Sequence, residues 1–188
     1  MAFVVVYDAC VLHGNTCRDL LIRVGQAGLV QAKWSEQILD ELVESLEKRG
    51  IGTADKLARL RRLIEESIAD SLVTGHDELI ESLKLPDQDD RHVLAAAIRS
   101  HAQVIVTDNT KDFPASALES WGIEAKTPDD FVRDLLGLDA WTIHSCVRDI
   151  VVSRNNPPVT TETVLAQLER SGLVQTVGVL RLGPPDSP

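Results

Sequence analysis

The sequence predicts an α/β fold built on a sheet of four or five mainly parallel strands. Two short runs rich in Val and Ile, at residues 3–7 and 104–107, are typical of strands buried on both faces of a parallel sheet. Such runs alternate with amphipathic segments over residues 1–136, which is the pattern of strand–helix–strand units. The 188 residues, 44% of them hydrophobic, are enough for one main domain with a full core.

The first third of the chain is predicted to contain two strands and three helices. After the strand at 3–7, apolar spacing predicts a helix from Ala9 to Gln26 and a short strand at 29–32. Ser35 is a good N-cap for a helix through Leu46, and glycines separate it from a second helix over 54–67.

The middle of the chain repeats the alternation. Pro86 ends an ambiguous segment, and Thr127, followed by Pro128 and Asp130, is a capped helix start. The predicted elements are a strand at 72–74, helices at 77–83, 90–100 and 116–121, strands at 104–107 and 122–125, and a helix from 127 to about 136.

The end of the chain has a different pattern. Residues 140–153 and 161–171 are helical by their apolar spacing, and residues 174–182 are predicted to form a strand. We therefore predict a main domain at 1–139, a small, mainly helical C-terminal extension at 140–182, and a frayed Pro-rich tail at 183–188.

Composition restricts location and partners. No apolar stretch approaches 18 residues and the start lacks the features of a signal peptide, so we expect a soluble cytoplasmic protein with no membrane contact. The three cysteines form no CxxC pair, and we interpret them as reduced and structural. A net charge of −10 disfavours tight nonspecific binding of nucleic acid but does not exclude it as a substrate. Six basic residues within 48–62 are either a guide for such a strand or a solvated helix face.

Three groups of carboxylates are predicted to meet. Asp8 and Asp108 each follow an apolar run, so they share the carboxyl edge of the sheet, where ligands bind in open α/β folds. Asp90 lies on the core-facing side of the helix that it opens. Clustered carboxylates need a hard divalent cation such as Mg²⁺ or Mn²⁺. The alternative is that Asp8 and Asp90 cap helices and that Asp108 and Asp112 form Asx-turns.

Periodicity alone does not select an acid on the helix that Ser35 begins. Its apolar stripe leaves Asp40 and Glu41 on opposite flanks at similar angles, and either acid on such a helix is commonly solvated.

The ordered motifs resemble a PIN domain, and most closely the branch of VapC-type toxins from bacterial toxin–antitoxin pairs. The resemblance covers residues 3–136. Its motifs are Val-Tyr-Asp8-Ala, Ile38-Leu-Asp-Glu41-Leu, Asp87-Gln-Asp-Asp90-Arg-His-Val-Leu-Ala-Ala-Ala97 and Val106-Thr-Asp108-Asn-Thr-Lys-Asp112-Phe-Pro114.

The resemblance implies a three-layer α/β/α fold and a ribonuclease that uses Mg²⁺ or Mn²⁺. Asp8, Glu41 and Asp90 match the acidic positions of the family. Asp112 matches a more regular aspartate than Asp108, so we rank it first as the fourth acid. The resemblance also implies that Thr107 orients the cluster or a metal-bound water. Such hydrolysis needs no covalent nucleophile, and we interpret His92 as a packed or surface residue.

Partners also follow from the resemblance only. It implies an RNA substrate, with tRNA favoured by analogy, a VapB-like antitoxin protein and a possible homodimer. We interpret the C-terminal extension as a packing lobe rather than a DNA reader, since it carries few cations. Two alternatives remain at this stage: a housekeeping PIN nuclease in RNA processing, and a non-catalytic module that binds RNA or protein.

Overall fold

The computed structural model describes residues 2–184 and contains a five-stranded parallel sheet. The strands are β1 (Phe3–Tyr7), β2 (Val30–Ser35), β3 (Leu72–Val73), β4 (Val104–Val106) and β5 (Glu124–Lys126). Their order is β3-β2-β1-β4-β5, and each neighbouring pair is parallel. The predicted α/β class is confirmed.

Helices flank the sheet. They are α1 (Asn15–Gln26), α2 (Glu36–Lys48), α3 (Ala54–Ser67), α4 (Asp77–Ile80), α5 (Arg91–Arg99), α6 (Ala115–Leu118), α7 (Pro128–Ser153), α8 (Thr161–Arg170) and α9 (Val174–Leu180). α5 contacts β1, β2 and β4, whereas α1 contacts β2, α3 and α7. The three-layer arrangement and the helical C-terminal region are as predicted.

Two predicted helix starts are confirmed by their hydrogen bonds. The Ser35 hydroxyl accepts the N–H of Ile38 at 3.2 Å and begins α2. The Thr127 hydroxyl accepts the N–H of Asp130 at 3.1 Å and begins α7, with Pro128 in the first turn. Both caps satisfy N–H groups that a helix cannot satisfy by itself.

Two predicted elements are wrong. The helix predicted from Ala9 begins only at Asn15, after a short 3-10 turn at Ala9–Leu12, because Gly14 is extended (φ −73, ψ 116). The strand predicted at 174–182 is instead α9. Its apolar side chains face α7 and α8, and its first N–H groups are bound by a carboxylate, which stabilises a helix start.

Two elements are longer than predicted. β2 continues to Ser35, and α7 continues to Ser153 through a break at Asp139, whose φ and ψ are −152 and 82. The predicted domain boundary at residue 139 stays a prediction. Of the predicted frayed tail, residues 185–188 lie outside the described residues.

One apolar core joins the sheet to the C-terminal helices. Val5 and Val6 of β1, Phe131 and Ile150 of α7, and Val177 of α9 belong to the same cluster of buried side chains, and each is at most 1% exposed. Within residues 2–184, none of the helices combines the length and apolar character needed to cross a bilayer.

Candidate active site

The candidate site lies where the strand order reverses. β1 is joined through α1 to β2 on one side, while its other neighbour, β4, arrives from later in the chain. The N–H of Asp8 donates to the carbonyl of Val106 at 3.1 Å, so the chain segments that leave β1 and β4 begin side by side. This is the crevice at the carboxyl ends of the strands where open α/β sheets bind ligands.

Asp8 is held by two side chains. One carboxylate oxygen, Oδ2, accepts the Thr107 hydroxyl at 2.7 Å and the Cys10 thiol at 3.0 Å. Asp8 is 6% exposed and Thr107 is fully buried. The Thr107 oxygen also accepts the N–H of Asn109 at 3.0 Å. The orientation of Asp8 is therefore fixed from behind, and its carboxylate makes no cap bond to the turn that follows it.

Cys10 takes part in this arrangement although sequence analysis assigned it no role there. Its sulfur accepts the N–H of Asp108 at 3.3 Å in addition to donating to Asp8. Burial and the neighbouring Asp8 charge raise the pKa of the Cys10 thiol, so it remains a protonated donor. The available signal was its position two residues after Asp8 at the end of a strand.

Three further carboxylates converge opposite this edge. One oxygen from each of Asp87, Asp90 and Asp112 lies within 4.8 Å of the other two. Asp87 belongs to the acidic run noted in the sequence, but only Asp90 was selected from that run. Asp87 lies in the bend before α5, where its carboxylate accepts the N–H of Asp89, so helix periodicity does not reveal its place in the group.

Asp90 is the most perturbed of these acids. Its Oδ2 atom is buried and has no hydrogen-bond partner among residues 2–184. Burial, followed by the charges of Asp8, Asp87, Asp112 and Glu41, raises the pKa of Asp90 to about 7. Asp90 occupies the N-cap position of α5, yet its side chain makes no cap bond. The capping interpretation therefore does not account for its side chain.

The two candidates for the fourth acid are placed differently. Asp112 ends a 3-10 turn, accepts a hydrogen bond from the Asn109 side chain and reaches the group containing Asp87 and Asp90. Asp108 is exposed and lies outside that group. Although Asp108 is exposed to solvent, the protein atoms around its carboxylate and the charge of Asp8 raise its pKa, so it belongs to the electrostatic surroundings of the site.

The structure also separates the two neighbouring acids on α2. Asp40 lies 3.1 Å from the Arg61 guanidinium of α3. Glu41 faces α5 instead, where its Oε1 atom lies 2.8 Å from Nε2 of His92, although the pair does not meet hydrogen-bond angles. His92 is 1% exposed, which agrees with its interpretation as a packed residue.

The basic segment at 48–62 has carboxylate neighbours of its own. Lys48, Arg61 and Arg62 each lie within 4.0 Å of a Glu four residues away on the same helix. Such pairs are typical of a solvated helix face. The structure supports that interpretation for these three side chains.

The donor set of the site suits a hard divalent cation. Asp8, Asp87, Asp90 and Asp112 offer only carboxylate oxygens, which are ligands that Mg²⁺ and Mn²⁺ favour. The unpartnered Oδ2 of Asp90 and the mutual repulsion that raises its pKa are both relieved by a bound cation. The residues present therefore fit a metal ion.

Comparison with known proteins identifies the family. The family described as PIN domain matches residues 4–111, which is more than half of the chain. The chain belongs to the PIN domain family. A second family, described as VapC50 C-terminal domain, matches residues 128–182 of this PIN protein. That match begins with α7 and includes α8 and α9.

One curated relative carries the same name. This PIN domain protein is 38% identical over 114 residues to a protein of Mycobacterium tuberculosis (strain ATCC 25618 / H37Rv) named "Putative ribonuclease VapC50". The aligned part covers 61% of this chain and 67% of the relative. No solved structure matches the chain. The resemblance to VapC proteins with a C-terminal extension is therefore confirmed.

Proposed function

We propose that this protein is a Mg²⁺- or Mn²⁺-dependent ribonuclease and the toxin of a VapBC-type toxin–antitoxin pair. The observation that carries the proposal is Asp90, a partly buried carboxylate among four other acids, with one buried oxygen that has no partner among residues 2–184. Such a cluster lowers stability unless it holds a cation. The similarity to a protein named as a ribonuclease supports RNA as the substrate.

The proposed ligands are the acids chosen from sequence together with one more. Asp90 and Asp112 would hold the ion together with Asp87, which lies beside them. Asp8 and Glu41 lie outside that group of three and are included because their charges act on Asp90, while Asp108 stands at the rim. A bound Mg²⁺ or Mn²⁺ would supply an activated water and neutralise charge on the phosphate.

The remaining groups position these ligands. The Thr107 hydroxyl and the Cys10 thiol donate to one oxygen of Asp8 and leave its other oxygen free of described hydrogen bonds. Glu41 is held beside the buried His92 of α5. These residues keep the acids in place against their mutual repulsion, so the site is preorganised before a cation or substrate arrives.

RNA cleavage by the purified chain tests the activity. We expect cutting with Mg²⁺ or Mn²⁺, none with EDTA, and none from Asp8→Ala or Asp90→Ala. Glu41→Ala tests the proposed acid of α2. Asp40→Ala is its matched control, because the two acids are adjacent on α2 but only Glu41 faces α5. Cutting that survives Asp8→Ala and Asp90→Ala would contradict the site.

Growth of cells that express the chain tests the toxin role. We expect growth arrest that a VapB-like antitoxin, encoded beside this gene, relieves by forming a complex with the chain. An arginine from such an antitoxin would pair well with the clustered carboxylates. Metal-dependent cleavage without growth arrest would instead favour a housekeeping nuclease, and loss of both would favour a non-catalytic module. The tRNA target, cytoplasmic location and homodimer remain part of this proposal.

A further inference from the structure

A second site lies between the core of the fold and its C-terminal helices. A cavity of about 700 Å³ opens between the start of α1 and the turns that follow α7 and α8. It is separate from the acid cluster, since none of the clustered acids lines it. The side chains that matter for its chemistry are Asn15, Arg154, Asn155, Asn156 and Arg170.

The cavity is unusual for its charge. The whole chain has 29 acidic against 19 basic residues, yet the described lining of this cavity contains two arginines and no carboxylate. Each arginine follows or ends a helix, where a positive charge is favoured. Helix ends explain why a cation is tolerated there. They do not explain why acids are missing from the whole lining of so acidic a protein.

The two arginines differ in how they are held. Arg154 donates to Thr16 at 3.0 Å, to Gln167 at 2.7 Å and to Asp19 at 3.3 Å, so its guanidinium is fixed in the wall. Arg170 is exposed and has no carboxylate within salt-bridge distance among residues 2–184. The fixed arginine shapes the cavity, and the free one is available to a ligand.

The rest of the lining is rich in hydrogen-bond donors. Asn155 and Asn156 are exposed and line the cavity, and so do Asn15 and Thr16, the first residues of α1, whose N–H groups have no partner within the helix. An anion at a helix N-terminus gains from both these N–H groups and the helix dipole. The carboxyl ends of α7 and α8 oppose an anion, and Arg154 is already paired with Asp19, so Arg170, the two amides and the start of α1 are the groups that favour a phosphate group.

The chain connects this cavity directly to the acid cluster. The segment from Asp8 through the 3-10 turn leads into Asn15 at the cavity. Gly14 lies so close to Ser171, at the end of α8, that a Cβ atom there would come within 3.3 Å of the Ser171 hydroxyl. The end of α8 is therefore packed against the segment that runs from Asp8 to the start of α1.

We infer that this cavity is a second contact for RNA, which binds a backbone phosphate away from the cleavage point. The inference rests on the proposed ribonuclease function and assigns the C-terminal region a part in substrate binding. Because a phosphate contact draws its free energy from pairing with a basic side chain, such a contact would help a protein of net charge −10 to bind an RNA strand.

Binding of a fluorescein-labelled single-stranded RNA, measured by anisotropy in EDTA, tests the inference without cleavage. We expect Arg170→Glu to raise Kd roughly fivefold and to reduce the slope of log K against log salt by about 0.7, the value of one phosphate contact. Arg170→Lys should retain most of the affinity. Arg148→Glu is the matched control, because Arg148 is an exposed residue of α7 outside the cavity and the charge change is the same.

A second variant protects the test from misfolding. Asn15→Asp adds a carboxylate to the lining, yet it is expected to fold well because Asn15 already accepts a hydrogen bond from Arg18 and begins a helix. It should weaken RNA binding as Arg170→Glu does. Inorganic phosphate should compete with RNA in the wild type at lower concentration than in Arg170→Glu if the cavity binds phosphate as such.

The outcomes separate this inference from the proposed function. Equal RNA affinity for the wild type, Arg170→Glu and Asn15→Asp overturns the inference, and so does an equal loss in Arg148→Glu or a wild type that binds no RNA. The comparisons among variants do not bear on metal-dependent cleavage, which the Asp8→Ala and Asp90→Ala variants decide, whereas a wild type that binds no RNA would count against the ribonuclease as well. Loss of cleavage with retained, Arg170-dependent binding would overturn only the nuclease.

Discussion

The acids of the sheet edge and those of the C-terminal helices show two uses of the same side chain. Asp129 accepts the N–H groups of Gln175 and Thr176 at 3.0 and 2.8 Å and fixes the start of α9 on α7. Asp90, by contrast, has a buried oxygen without a described partner and a pKa raised to about 7. The first carboxylate stabilises the fold, and the second is held in an unfavourable state that a ligand can relieve.

The difference lies in the neighbours as well as in burial, which is the larger cause of the raised pKa of Asp90. Asp139 is also satisfied, because the N–H and hydroxyl of Thr142 donate to it, and these bonds hold its pKa below the ordinary value. Around Asp90 the neighbours are other carboxylates. Carboxylates surrounded by donors are structural, and carboxylates surrounded by carboxylates mark the candidate site.

Asp90→Asn should separate activity from stability most clearly. RNA cleavage should fall by at least roughly 100-fold. Removing a group that only supports a metal ligand costs up to about 100-fold, and Asp90 is itself a proposed ligand. The amide keeps the shape of the side chain, so circular dichroism should be unchanged. Initial rates with Mg²⁺ and Mn²⁺ measure the effect, and a variant that retains a tenth of the wild-type rate would contradict the role of Asp90.

Asp129→Ala should show the opposite behaviour. Removing its two bonds to α9 should lower the free energy of unfolding by about 2 kcal/mol, since a charged cap with two N–H partners is lost. Urea unfolding measures this change. Cleavage by the folded variant should stay near the wild-type rate. Asp149→Ala, at an exposed acid on α7, is the control and should change stability by less than about 0.5 kcal/mol.

The metal-free protein should gain stability when the charge of Asp90 is removed. The folded state raises the pKa of Asp90, so ionisation there opposes folding, and this loss grows from about pH 4 to pH 7. Asp90→Asn in EDTA should therefore be more stable than the wild type at pH 8 by about 1 kcal/mol, a value reduced because the site is partly solvated. The two proteins should converge at pH 4. A constant difference across this range would argue against the electrostatic explanation.

Cys10→Ser and Cys10→Ala should have the smallest effects. Serine keeps a donor to Asp8, whereas alanine leaves Asp8 with Thr107 alone, so cleavage should fall roughly two- to fivefold in Cys10→Ala and less in Cys10→Ser. Rates at several Mg²⁺ concentrations should place the loss in metal affinity. Equal rates for the wild type and Cys10→Ala would show that the thiol does not position Asp8.

Sequence predicted the parts of the fold that local patterns determine. The buried runs of β1 and β4 and the caps at Ser35 and Thr127 are visible because strand burial and capping depend on neighbouring residues. α9 was mistaken for a strand because its Val-rich composition favours strands, while its contacts with α7 and the Asp129 cap depend on distant residues.

The positions of the candidate site residues were predictable to a similar degree. The meeting of Asp8 with the end of β4 follows from parallel strand geometry, and Asp90 follows from helix periodicity. Periodicity alone could not choose between Asp40 and Glu41, because the choice depends on α3 lying on one flank of α2 and α5 on the other; the resemblance selected Glu41. The contacts of Cys10 and the approach of Asp87 to Asp112 depend on loops whose paths no local pattern determines.

The shared core has a consequence for how the protein unfolds. Buried side chains of α7, α8 and α9 belong to the same cluster as those of β1. If either the C-terminal helices or the sheet unfolds, the other therefore loses its packing. We expect a single cooperative unfolding transition, observed equally by tryptophan fluorescence and circular dichroism. Loss of the C-terminal helices would then remove the acid cluster as well, since a site held together against its own charge depends on the whole fold.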